Sequence, residues 1–164
     1  MKRLLATLLL SCAALAQAAE VRFDSHYFFQ SEQVMAEKKI DLQQLVRYSR
    51  KVQWQVWNTM KKVKLPPSAG YLVLAVRADG EVASWLDMGP AVHAYYEHQI
   101  LAAAQKVQAL DVAQGVLVYA IKMSIDTPVH TRKPLPAPPD WDEAKKKMGD
   151  PDNIEELVLS VWPE

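Results

Sequence analysis

Histidine, serine and carboxylate side chains are the groups in this sequence that could carry out acid–base or nucleophilic chemistry. His93 and Glu97 stand four residues apart in a predicted helix, so their side chains share a face, whereas His98 falls on a different face. Two histidines four residues apart, which together would hold a metal ion, do not occur in this stretch. We therefore predict a helix surface with ordinary histidines and no metal site.

The motifs of serine hydrolases and phosphate-binding loops are missing from the sequence. Ser84 lies well inside a predicted strand, but no histidine or aspartate is evidently placed to activate it. The acidic stretch 149–156 lacks the mid-loop glycine of a calcium-binding loop. We expect a protein that is not an enzyme and needs no cofactor, and the alternative is a small hydrolase without a recognisable motif.

The first residues indicate where the protein works. Lys2 and Arg3 precede an apolar run, and an A-x-A cleavage site ends at Ala18. This is the order of parts in a secretory signal peptide over residues 1–18, and the apolar run is shorter than the ~20 residues that span a bilayer. We expect export to the periplasm by a cleavable signal, and lipidation at Cys12 is the second choice.

The composition of the chain that remains after cleavage limits its partners. Cleavage removes two of the 19 basic residues and none of the 19 acidic ones, so the net charge becomes about −2. Without a basic run, such a chain is not expected to bind nucleic acid or an anionic membrane surface by electrostatics, and no membrane span is expected in it. The single cysteine is lost with the signal, so stability must come from packing.

The N-terminal part of the predicted domain is a strand or arm followed by helices. Residues 20–30 are aromatic and partly alternating, which predicts either a strand or an arm packed on the domain. Ser31 is the predicted cap of a first helix, and Asp41 the start of a second. The second helix has one apolar stripe and ends before Pro66 and Pro67.

A β-hairpin over residues 71–89 is the clearest structural signal. Asp79-Gly80 separates two short strands, and glycine accommodates the positive φ that a tight hairpin turn requires. Both faces of the first strand are largely apolar, which predicts an inner strand covered on both sides. An Ala-rich helix from about Val92 to Ala109 and a third strand, Val116 to Met123, follow.

These elements predict an α+β fold, a small antiparallel three-stranded sheet with helices packed on it. We expect one domain over residues 19–126. Five of the ten prolines lie between residues 127 and 140, so residues 127–164 are predicted to be a Pro-rich extension with a short terminal element.

The order of these parts resembles the C-terminal domain of the TonB/TolA family, and TolA more closely. The segment VQWQVWNTMKKVKLPP resembles that family's entry helix, LVLAVRADGEVASWLDMG its first hairpin and YYEHQILAAAQKVQAL the helix that follows. The resemblance covers about residues 48–123 and implies a protein-binding domain that pairs a partner strand with a sheet edge. Energy transducers of the family keep an uncleaved anchor and a long spacer, so this chain would be a soluble exported variant.

The resemblance also implies where a partner would bind. Residues 72–76 would be the middle strand and the third strand would lie at an edge, where its unpaired N–H and C=O groups could accept a partner strand. We predict an adaptor or accessory of a cell-envelope complex, with these partner-binding residues: Val116, Val118, Tyr119, Ala120 and Lys122. The chain's own N-terminal arm or C-terminal segment could cover this edge instead, and a homodimer through paired edges is the remaining alternative.

Overall fold

The computed structural model describes residues 20–128 and 133–163, which form one four-stranded antiparallel sheet with helices on both faces. The predicted signal peptide and His130 lie outside these residues. No helix of the described part is long and apolar enough to cross a membrane.

The strands lie in the order β1-β4-β2-β3. Their bounds are β1 Val21–Phe28, β2 Ser68–Arg77, β3 Val82–Gly89 and β4 Val116–Ile125. The helices of the described residues are α1 Glu32–Glu37, α2 Leu42–Met60, α3 Ala94–Gln105, α4 Trp141–Lys145 and α5 Ile154–Ser160.

The predicted starts of the first two helices are confirmed. Ser31 Oγ accepts a hydrogen bond from the N–H of Val34 at 3.3 Å, and Asp41 Oδ1 accepts one from the N–H of Gln43 at 2.7 Å. Each cap satisfies a backbone donor that the helix itself leaves unpaired. Five residues of the predicted stripe lie in α2 and are buried: Leu45, Ser49, Val52, Val56 and Met60. The sixth predicted residue, Val63, follows the helix and is half-buried.

The predicted hairpin is also present, and its turn requires glycine. The N–H of Gly80 donates to the carbonyl of Arg77 at 3.0 Å, while the N–H of Arg77 donates to the carbonyl of Glu81 at 2.9 Å. Gly80 and Glu81 therefore both oppose Arg77 across the hairpin. This arrangement is a β-bulge with glycine at its first position. Gly80 has a φ of 86°, a conformation that a side chain would strain.

The expectation of a three-stranded sheet with the third strand at an edge is wrong. Residues 21–28 form β1 and pair antiparallel with β4, with Phe28 opposite Tyr119 and Val21 opposite Ile125. The third predicted strand is β4, which lies between β1 and β2. The physical reason is that β4 is apolar on both faces, and a strand of this kind is most stable when it is covered on both sides.

The Pro-rich extension is a layer of the fold rather than a peripheral arm. One face of the sheet packs against α1, α2 and α3, and the other packs against α4 and α5. Trp141, at the start of α4, is only 1% exposed and contacts Trp85 of β3 edge-on, with 5.6 Å between ring centroids. The C-terminal segment therefore completes the core on the second face of the sheet.

Gly70 of β2 tests how closely the backbones of β2 and β3 approach each other. A Cβ atom at this position would overlap the carbonyl oxygen of Asp87 in β3, and a backbone atom cannot move aside as a side-chain end can. We expect Gly70→Ala to lower the free energy of unfolding by about 3 kcal/mol, measured by urea denaturation. Gly149→Ala is the matched control, because a Cβ there meets no atom within 4 Å. Equal effects of the two substitutions would contradict the predicted overlap.

Candidate functional site

The predicted binding edge at Val116 and Val118 is closed by side chains of the same chain. Gln30 follows β1 and takes over its pairing: Gln30 Oε1 accepts from the N–H of Val118 at 3.0 Å, and Gln30 Nε2 donates to the carbonyl of Val116 at 2.8 Å. Glu155 of α5 accepts from the N–H of Val116 at 3.0 Å through Oε2. The backbone groups that a partner strand would need are therefore already paired.

The other three predicted residues are also enclosed. Ala120 pairs with Tyr27 of β1 and is fully buried. Tyr119 is fully buried on the α2 side, where its hydroxyl accepts a hydrogen bond from Ser49 Oγ at 3.3 Å. Lys122 is half-buried within β4. The structure places the predicted residues along an inner strand, so they do not form an exposed edge.

Glu155, a half-buried residue, is held in place by an ion pair with the buried Lys38. The Lys38 Nζ lies 2.7 Å from Glu155 Oε1, and the lysine side chain is only 6% exposed. Nζ also donates to the carbonyl of Gln114 at 3.4 Å. Gly115 packs against both charged groups with a φ of 65°, and a Cβ there would overlap the carboxylate. This cluster connects the end of α1, the start of β4 and helix α5.

The ion pair gives a stability prediction. We expect Glu155→Ala to lower the free energy of unfolding by about 3 kcal/mol, because it removes the carboxylate that pairs with the buried Lys38 and leaves the N–H of Val116 without an acceptor. Glu143→Ala is the control, since Glu143 pairs with Lys146 on the surface, and we expect a change within about 0.5 kcal/mol. Urea denaturation measures both, and similar losses would show that the burial of the first pair is unimportant.

The free edges of the sheet belong to β1 and β3. The edge of β1 is irregular, because its register with β4 shifts between Phe23 and His26 and leaves Asp24 and Ser25 in a bulge. Bulges and charges on an edge strand oppose pairing with another chain. The edge of β3 has no such bulge, since its pairing with β2 is continuous from Val82 to Gly89.

The hairpin determines which N–H and C=O groups of β3 face β2 and which face away from it. Arg77 and Glu81 are hydrogen-bonded across the turn, and hydrogen-bonded pairs alternate along an antiparallel ladder. Ala83 and every second residue after it therefore point their N–H and C=O groups toward β2. Ser84 and Leu86 point theirs away from β2, toward the open side of the sheet.

A cleft of about 470 Å³ lies along this edge. Its floor is the segment Ser84–Leu86, one wall is Glu97 and Leu101 of α3, and the other wall belongs to the C-terminal segment: Pro138, Pro139, Asp140, Val161 and Pro163. Ser84 is 2% exposed and Leu86 is 7% exposed. Within residues 20–128 and 133–163, no hydrogen bond reaches the backbone N–H or C=O of either residue from the open side.

The hydroxyl of Ser84 has a structural role. It accepts a hydrogen bond from Gln105 Nε2 at 3.0 Å and donates to the carbonyl of Leu101 at 3.4 Å, so it attaches β3 to α3. No histidine of the described chain hydrogen-bonds this serine. His93 caps α3, where its Nδ1 accepts from the N–H of Tyr95 at 3.2 Å. The groups that a serine hydrolase would need are not brought together among these residues.

The cleft carries two acidic side chains. Burial raises the pKa of Glu97 above its ordinary value, and the nearby carboxylate of Asp140 raises it further. Neither residue forms an ion pair within the described part of the chain. The cleft therefore has an excess of negative charge that a basic ligand would neutralise.

A buried aspartate fixes the position of the C-terminal wall. Asp87 of β3 is 1% exposed and forms an ion pair with Lys133. Its other carboxylate oxygen accepts from the N–H of Ala137 at 2.8 Å, and the hydroxyl of Tyr71 donates to the carbonyl of Lys133 at 3.1 Å. These bonds attach residues 133–137 to the sheet, immediately before the prolines of the wall. The sequence pattern does not predict this cleft, because its walls come from separate parts of the chain.

His26 forms part of a second polar cluster between β1 and α2. Its Nε2 is buried and has no hydrogen-bond partner among the described residues, and its ring lies 6.3 Å from that of Phe28 and 6.1 Å from that of Tyr119. The hydroxyl of Tyr48 is likewise buried without a partner in this part of the chain. Burial lowers the pKa of His26 and raises the pKa of Tyr48 and of Tyr119.

The lowered pKa of His26 predicts a dependence of stability on pH. The unfolded chain takes up a proton as the pH falls through about 6.5, whereas the folded chain resists protonation at this site. This contribution is complete above that pH and is lost as the pH falls below it. We expect His26→Phe to reduce the loss of stability between pH 7.5 and pH 5.5, measured by urea denaturation. His98→Phe, at an exposed site, should leave the wild-type loss unchanged, and an unchanged loss in His26→Phe would contradict the assignment.

Neither a metal site nor a similarity to known proteins assigns a function to this chain. Residues 20–128 and 133–163 contain no cluster of three or more histidine, cysteine, aspartate or glutamate side chains that could hold a metal ion. A scan against protein-family models gave no match, and neither did searches of curated proteins and of solved structures. Function is therefore inferred from the geometry of the chain itself.

Proposed function

We propose that this protein is a protein-binding module that holds an extended segment of a partner against the free edge of β3. The observation that carries the proposal is the pair Ser84 and Leu86 in the lining of the cleft, whose outward backbone groups have no partner among the described residues. A partner backbone in extended conformation supplies the matching donors and acceptors. This keeps the predicted mode of binding and moves it from β4 to β3.

The walls of the cleft favour a single extended segment over a second copy of the chain. Paired strands lie about 4.7–4.9 Å apart, so a partner strand must enter between α3 and the C-terminal segment. The β3 edge of a second copy would be recessed between the same two walls. A free peptide segment meets no such obstruction, and a homodimer through paired β3 edges is therefore disfavoured.

The charges of the cleft define the partner further. Glu97 and Asp140 stand close enough for the charge of one to raise the pKa of the other's carboxyl, and no cation of the described residues neutralises them. A lysine or arginine in the bound segment would form charge-assisted hydrogen bonds with both. The proposed ligand is an extended segment with a basic side chain that points to the α3 wall.

The cellular setting follows from the sequence. The predicted signal peptide supports a periplasmic location, and we propose that the protein serves there as an adaptor or accessory of a cell-envelope complex. The order α2-β2-β3-α3-β4 is the order that the TonB/TolA resemblance implies, and strand pairing is a binding mode of that family. Both points support a protein-binding function.

A pair of substitutions at Ser84 tests the proposal. Ser84→Pro removes the outward N–H without removing a bond of the β2–β3 ladder, whereas Ser84→Ala removes only the hydroxyl. A photo-crosslinking residue at Pro163, on the cleft wall, is used to capture the partner in intact cells. We expect capture to survive Ser84→Ala and to be lost in Ser84→Pro, because only the latter lacks the donor that the partner strand needs.

Two further measurements make the test specific. A crosslinker at Ser25, in the bulge of β1, samples the other edge and should not capture the same partner. A synthetic peptide of the captured segment should then slow hydrogen exchange of the N–H groups of Ser84 and Leu86. Equal capture by both Ser84 variants, or protection confined to other strands, would refute strand addition at β3.

A further inference from the structure

Helix α2 has a strongly basic outer side, although the chain as a whole is neutral. Every charged residue between Asp41 and Asp79 is basic, and the chain contains 19 basic and 19 acidic residues in total. On α2 and immediately after it these basic residues are Arg47, Arg50, Lys51, Lys61, Lys62 and Lys64. The neutral sum therefore conceals a local excess of positive charge.

The basic residues surround two exposed tryptophans. The apolar stripe that begins at Leu45 faces the sheet, and Trp54 stands on the opposite side of the helix with 60% of its surface exposed. Trp57 is 41% exposed. Residues three, four and seven positions from Trp54 share its side of the helix. They define the α2 outer patch: Arg47, Arg50, Lys51, Trp54, Trp57 and Lys61.

The cations of this patch have no acidic partners in the described chain. No carboxylate of residues 20–128 or 133–163 lies within ion-pair distance of them, and Lys61 lies instead over the ring of Trp57, 5.2 Å from its centroid. Beside the patch, a cavity of about 470 Å³ lies between α2 and the end of α3. Its basic residues are Arg50, Lys51 and Lys106, and its lining contains no acidic side chain.

We propose that the α2 outer patch docks the protein onto an anionic phospholipid surface. Tryptophan favours the interface between lipid headgroups and hydrocarbon, where its ring is in an apolar setting and its N–H still finds acceptors. Lysine and arginine around it bind at the level of the lipid phosphates. The cavity lined by Arg50, Lys51 and Lys106 accommodates one phosphate group beside the inserted ring of Trp54.

The apolar residues of the same side of α2 favour lipid over other anionic partners. Val46 is 45% exposed and lies about three helical turns before Trp57 on the same side of α2, so it continues the surface toward the N-terminus of the helix. Transfer of these apolar side chains from water into a membrane interface is favourable. Contact with the phosphates of a nucleic acid would bury little of their apolar surface. The patch shares no residue with the lining of the β3 cleft, so both surfaces are available at once.

Vesicle flotation with matched charge variants tests this inference. The full chain is mixed with vesicles of neutral phosphatidylcholine or with vesicles that also contain phosphatidylglycerol. We expect binding to the anionic vesicles to exceed binding to the neutral ones and to weaken as salt is added. Arg50→Gln/Lys51→Gln should weaken anionic-vesicle binding about 30-fold, whereas Lys146→Gln/Lys147→Gln, which removes the same charge elsewhere, should not. The predicted signal peptide is common to all the variants, so its contribution to lipid binding is the same in each of them and does not change the ratio of their affinities.

Tryptophan fluorescence identifies the residue that enters the interface. Brominated lipids should quench part of the fluorescence of the wild-type protein, and this quenching should fall in Trp54→Phe and persist in Trp162→Phe. Equal vesicle binding by the two charge variants would overturn the inference. So would tighter binding to single-stranded DNA or poly-glutamate than to anionic vesicles, with the same loss in Arg50→Gln/Lys51→Gln.

Discussion

The carboxylate of Glu155 is the point on which the three layers of this protein depend. One of its oxygens binds Lys38, which follows α1 on one side of the sheet, and the other binds the N–H of Val116 at the start of β4. The residue itself belongs to α5 on the opposite side. Burial of the Lys38 ammonium group costs free energy that its acceptors offset, and the carboxylate is fixed in turn by backbone and side-chain donors. The helices of one face, the sheet and the helix of the other face are thus joined at one ion pair.

Local patterns in the sequence predict the helices, strands and turns well, but they do not predict which of these elements pack against or pair with each other. The caps at Ser31 and Asp41, the stripe of α2 and the turn at Asp79-Gly80 depend on residues a few positions apart, so a single sequence contains their whole signal. The pairing of β1 with β4 depends on backbone groups and on contacts such as Gln30 with Val118, 88 positions apart. Nothing in the local pattern of either segment selects the other. The C-terminal layer escaped prediction for the same reason, since its prolines indicate an extended chain and do not show what that chain covers.

The two surfaces to which we assign binding illustrate different limits of sequence. Whether a strand lies at an edge is a property of the whole sheet, so the strand of Val116 becomes an inner strand once β1 is placed, whereas the strand of Ser84 stays at an edge. The α2 outer patch, by contrast, can be found in the sequence, because its cations and tryptophans recur at helical spacing. The net charge is a sum over the whole chain, so it does not show that the basic residues are concentrated on α2. An expectation from net charge alone argues against the anionic surfaces that the arrangement of these residues favours.

The dependence of β4 on Glu155 also bears on the order in which the chain matures. Synthesis completes β1, β2 and β4 before α5, so the growing chain holds a sheet in which the N–H of Val116 lacks its acceptor until Glu155 emerges. Strand backbone groups without partners are sites at which another chain can pair and start aggregation during folding. Helix α5 therefore completes the pairing of β4 late in folding, and a chain that lacks α5 is the form most in need of a chaperone.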